Sequence, residues 1–205
     1  MTAADWYRNK QWNEKIETHF FDNLSRARNQ KAQYLRIQAH TLISVRPDVS
    51  LTLLEEYFNT GDTFDLAQAY VDQAAAYEVL NNIPQAVEAY KNAISREKML
   101  PSVQTRAYLE LPLFAATHNL ENLYPDCLSI LDNHKDRLTF QLDYFIYHAC
   151  YAIFLKKSEP AAASEHAKNA LDYAKNSTPH FTKHPSVGLV NEETHKDVIR
   201  RLQKI

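Results

Sequence analysis

FDLAQAYVDQAAAYEVLNNIPQAVEAYKNAISREK, residues 64–98, decides the fold. Two stretches of helical periodicity meet at Asn81-Asn82, and Pro84 stands where the second begins. Proline suits that position, because the N–H it lacks would be unsatisfied in a first turn and its fixed φ is already helical. Ala74 and Ala86 are small enough for two backbones to approach closely, and Tyr77 and Tyr90 fill the space between them. Working outward, Pro47, Pro84, Pro125 and Pro160 recur at intervals of 37, 41 and 35 residues, each opening a short amphipathic stretch. A period of this length is the signature of stacked helical hairpins that present a surface to a partner.

Residue by residue, this unit resembles a tetratricopeptide repeat. Tyr70, Ala74 and Tyr77 take the aromatic, small and aromatic positions of that family's first helix, and Ala86, Tyr90 and Ala93 the small, aromatic and small positions of its second. Lys98 replaces the closing proline, and Asn81-Asn82 stands where the turn often carries glycine. Three weaker units flank it. Leu35, Ala39 and Leu42 precede Leu53, Leu54, Tyr57 and Phe58; Ala115, Cys127 and Leu131 surround Pro125, with His118 in the place of Tyr77; Ala163, Ala167 and Ala170 follow an aromatic helix expected from about Leu138 to Lys157. The resemblance spans residues 31–176 and implies an all-α, right-handed solenoid of about four helical hairpins. A generic helical bundle stays open, since small–aromatic spacing at 3.6 residues marks any buried hairpin.

Composition agrees with an all-α reading. The 205 residues contain two glycines, Gly61 and Gly188, too few for phosphate loops, β-turns or flexible linkers. A net charge of −2 with 23% charged residues carries no basic excess of the kind nucleic acid selects. MTAADWYRNK lacks a signal peptide's apolar core, no run is long enough to span a membrane, and Cys127 and Cys150 fall on faces the register buries. A cytoplasmic, bacterial-looking protein with reduced core thiols is expected.

A single domain is expected over residues 1–205, with a cap helix at residues 1–30, repeats at 31–176 and a loop with a C-terminal helix at 177–205. The cap carries Trp12, Ile16, Phe20 and Leu24 on one face, with Trp6 alongside. After the loop from Asn176 to Val190, Asn191 caps a last helix ending near Gln203, in which Val198, Ile199 and Leu202 dock.

Nine histidines invite a search for chemistry. His180 and His184 are flanked by Pro179 and Pro185, so they do not share a helix face as metal ligands would. His118 is expected to be a satisfied buried histidine and His166 a solvated one. No nucleophile elbow, zinc-protease or phosphate-loop pattern occurs, so no catalytic residue, metal or cofactor is assigned. The resemblance places the first helix of each hairpin on a concave face. Mapped here, that face comprises Arg36, His40, Gln68, Val71, Ala75 and Glu78, then Phe145, His148, Ala152 and Lys156. Its polar and partly apolar mix fits a protein or peptide ligand. It lacks the lysine, asparagine and arginine set with which related cochaperones hold a C-terminal carboxylate. The stretch before Lys31 is also too short for the DNA-reading domain of the peptide-sensing regulators. An adaptor or chaperone-like module remains, with RNA binding through Arg26, Arg28, Lys31 and Arg36 or Arg200, Arg201 and Lys204 as the alternative, and self-association, including a homodimer, left open.

Overall fold

In the computed structural model, which describes residues 5–205, all regular structure among those residues is helical. Ten α-helices follow one another: α1 Glu14–Arg26, α2 Lys31–Leu42, α3 Pro47–Asn59, α4 Leu66–Val79, α5 Ile83–Met99, α6 Ala107–Thr117, α7 Tyr124–Asn133, α8 Gln141–Leu155, α9 Pro160–Lys175 and α10 Glu192–Leu202. The first four residues of MTAADWYRNK lie outside the described residues. No described helix is long and apolar enough to cross a membrane. The chain divides into two compact units, one reaching to Ala107 and one running from Tyr108 to Ile205.

The prolines do what their geometry dictates. Pro47 and Pro160 are the first residues of α3 and α9, and Pro84 and Pro125 the second residues of α5 and α7. Pro112 differs, lying inside α6, where it removes one rung of the helical ladder. The turns between α4 and α5 and after α6 use Asn81 and Asn119 at φ 54° and 55°. Asparagine tolerates the left-handed region better than other side chains, which is how these turns dispense with glycine.

In the first unit α2 packs on α3, α4 on α5, and α3 on α4. Leu35, Ala39 and Leu42 of α2 meet Leu53, Leu54 and Tyr57 of α3 in one cluster, which Phe20 and Leu24 of α1 close. Phe20 is wholly buried, contributing about 2 kcal/mol by removal from water. The segment before α1 also belongs to this core. Trp6 lies 5.4 Å from the Phe20 ring and 4.9 Å from Tyr34, and the buried Gln38 amide donates to the Asn9 carbonyl at 2.8 Å while accepting from its N–H at 2.9 Å. Ala74, Ala86 and Ala93 are fully buried, as close backbone approach requires.

In the second unit α8 packs on α9, with α10 against both. Phe145, Ala149, Cys150 and Ala152 of α8 and Ala163 and Ala170 of α9 are fully buried. Asn191 Oδ1 accepts from Thr194 N at 3.1 Å, capping α10, whose Val198 and Leu202 are buried. The connection before it is tied down rather than loose: Leu142 N donates to the Gly188 carbonyl at 2.9 Å, and His180 sets its ring edge-on to Phe140. Gly188 combines φ 78° with a backbone so close to Phe140 that a Cβ would overlap the ring.

Candidate partner-binding site

On α2, Arg36 and His40 are four residues apart and share a face; on α4, Gln68 and Asp72 do the same. Contact between the two helices turns these pairs toward one another. Asp72 is the hub. Its side chain is 2% exposed and accepts from Arg36 Nη1 at 3.2 Å, His40 Nδ1 at 2.9 Å and Gln68 Nε2 at 3.2 Å. Arg36 Nε also donates to Asp65 at 3.2 Å. A carboxylate removed from water needs such partners, since an isolated buried charge costs several kcal/mol.

Asp72 sets the chemistry of the histidine above it. Because a carboxylate only accepts, Nδ1 of His40 carries the proton in this bond, and Nε2 is left to face outward on a side chain 63% exposed. The hydrogen bond to Asp72 raises the His40 pKa above its ordinary value, against the opposing pull of partial burial and the Arg36 charge. The result is a fixed, readily protonated imidazole on a surface otherwise occupied with internal bonds.

Three of the expected groove residues, Arg36, His40 and Gln68, are therefore brought together. Val71, only 7% exposed, belongs to the core, and Glu78 accepts the Tyr90 hydroxyl proton at 2.6 Å, so it ties α4 to α5. Asp72 was not singled out by the sequence reading. Its signal was there: a lone acid within the otherwise apolar and neutral run LAQAYVDQAAA has to be solvated or paired.

The remaining expected residues lie on α8, in the second unit. His148 lies on the half-open face of α8 and Lys156 is exposed, whereas Phe145 and Ala152 are fully enclosed, and it is Tyr144 and Tyr151 that share the half-open face with His148. His166, expected on a solvated face, is half-buried instead, and its Nδ1 lies 2.8 Å from Nδ1 of His148. At that distance the two nitrogens share one proton. Tyr173 stacks on Tyr144 and on His148, and Tyr151 stacks on His166, while the Tyr151 hydroxyl donates to Asp132. Burial, the His166 ring and Lys135 hold the His148 pKa down to about 4, and burial lowers that of His166. His118 is half-buried with its ring nitrogen 3.1 Å from the Phe114 carbonyl. Among the described residues no group of three or more histidine, cysteine, aspartate or glutamate side chains is placed to hold a metal ion.

No family model matches the chain, and no curated protein or solved structure matches it. The class that fold and site define is accordingly an all-helical protein of paired helices, with a polar cluster on α2 and α4.

Proposed function

We propose that the chain is a protein- or peptide-binding adaptor of tetratricopeptide-like construction, whose grip is the face shared by α2 and α4. The observation that carries this is the convergence of Arg36, His40 and Gln68, from the first helices of two successive hairpins, on the buried Asp72. One carboxylate thereby orients three side chains before any ligand arrives, and preorganised donors bind without a fresh ordering cost. When His40 is protonated, which its bond to Asp72 favours, the outward Nε2 donates to a carbonyl or carboxylate of the partner. Pro47 and Pro84 at the starts of the second helices of the two hairpins, Asn81 in the glycine position of the turn, and the buried Ala74 and Ala86 all support the repeat reading.

The test uses the intact chain, immobilised and exposed to a lysate of its native host. A specific partner retained by wild type should be lost or weakened by His40→Ala and by Gln68→Ala, neither of which leaves Asp72 without Arg36. Retention of the same proteins in the same amounts by both variants would sink the α2–α4 assignment.

A further inference from the structure

A second feature of the first unit is built from different residues. The end of α3, the turn after it and one face each of α4 and α5 enclose a cleft of about 470 Å³. Its floor is apolar: Phe58 and Tyr70 stack with centroids 5.1 Å apart, beside Leu66 and Ala89. Its walls are amides and acids, with Gln85, Glu88 and Asn92 at i, i+3 and i+7 on α5, Gln73 on α4 and Asp62 from the turn.

The rim is held in place. The Thr60 hydroxyl accepts from Asp62 N at 3.2 Å, Asp62 Oδ1 accepts from Phe64 N at 3.0 Å and from the Tyr57 hydroxyl at 3.2 Å, and Arg96 donates to the Thr63 carbonyl at 2.8 Å. Arg96 is thus committed to the rim, and the lining itself holds two carboxylates and no cation. Gly61, at φ 71° with nothing near the place of a Cβ, leaves the mouth unobstructed.

We infer that this cleft receives a lysine or arginine side chain carried on an extended peptide. The cation lies against the Phe58–Tyr70 ring pair, where the negative ring face attracts it, and between the carboxylates of Asp62 and Glu88. Gln73, Gln85 and Asn92 each offer a donor and an acceptor, the pairing that a peptide group needs. The two lining carboxylates disfavour an acidic side chain in the same position. The inference stands apart from the α2–α4 reading, because no residue of the Asp72 cluster lines the cleft.

The probe is a blocked pentapeptide with arginine at its centre, titrated into the full-length ¹⁵N-labelled chain, with norleucine and glutamate versions as controls. Saturable shifts should appear at Gly61, Tyr70 and Glu88, with affinity about tenfold lower for the norleucine peptide. Glu88→Lys, an exposed change on α5, should abolish them, and His40→Ala should leave them intact. Absence of saturation with the arginine peptide, equal binding of the glutamate peptide, or unaltered binding by Glu88→Lys would each overturn the inference, whatever the fate of the α2–α4 site.

Discussion

His40 on α2 and His148 on α8 were expected to do the same work, since each sits on the open side of the first helix of a pair. Their surroundings give them opposite proton affinities. His40 donates to a buried carboxylate, so protonation gains a charge partner, and its pKa rises. His148 is half-buried, which disfavours its charged form, and it faces a second imidazole with Lys135 nearby rather than a carboxylate, so its pKa falls to about 4. Two histidines that look alike along the chain thus differ in chemistry, because burial and the neighbour across the helix pair decide it.

The contrast is most exposed at Arg36. Read as a groove residue, it would tolerate alanine with no change in stability; read as the counterion of Asp72, whose side chain is 2% exposed, it would not. Arg36→Ala should cost about 3 kcal/mol in urea unfolding, because it removes the permanent countercharge of a buried carboxylate and leaves it only His40 and Gln68. A loss below 0.5 kcal/mol, the ordinary surface range, would mean that Asp72 does not depend on it.

The packing beneath the first of these faces comes next in size. Ala74→Leu and Ala86→Leu introduce bulk at fully buried positions and should cost about 2 kcal/mol by overpacking. Glu88→Gln, on an exposed site of α5, serves as the near-neutral reference at less than 0.5 kcal/mol. Silent alanine substitutions would dissolve the hairpin register by which His40 and His148 are compared.

Acid sharpens the comparison directly, because the two histidines push stability in opposite directions. The folded pKa of His148 lies below the unfolded value of about 6.5, so its contribution is complete above pH 6.5 and is lost as pH falls toward about 4. That of His40 is raised, so its contribution is complete below about pH 6.5 and is lost as pH rises through the folded value. His148→Gln should therefore flatten the acid-side decline of melting temperature, whereas His40→Asn should lower stability more at pH 5 than at pH 8. Identical pH profiles for both variants would erase the distinction. The smallest effect is a spectroscopic one: in ¹⁵N–¹H spectra at neutral pH, His148 and His166 should show different tautomers, one with its proton on Nδ1 and one without.

Much of this protein is legible along the chain. The helix starts at Pro47 and Pro160, the Asn191 cap, the cap residues Phe20 and Leu24, and the burial of Ala74 and Ala86 all follow from local rules about missing N–H groups, side-chain acceptors and volume. The candidate site was half legible: Arg36, His40 and Gln68 follow from the concave face that the resemblance implies, whereas Asp72, to which they point, is recognisable as their shared partner only once α2 and α4 are in contact. On α8 the reading found His148 but took the buried Phe145 and Ala152 for open positions, since an aromatic, nearly all-apolar helix offers periodicity no clear polar stripe from which to choose its open face.

By itself the sequence determined where several helices begin, as at Pro47, Pro160 and the Asn191 cap, and which residues are small enough for pairs of helices to meet, because capping, proline geometry and volume act within a turn or two of the chain. Only the tertiary structure decided the charge states and the partners. Asp72 meets His40 across 32 positions of sequence and Arg36 across 36, and His148 meets His166 across 18. A proton affinity depends on which charge or dipole lies within a few ångströms. At those separations, only the packing of α2 against α4 and of α8 against α9 sets that distance.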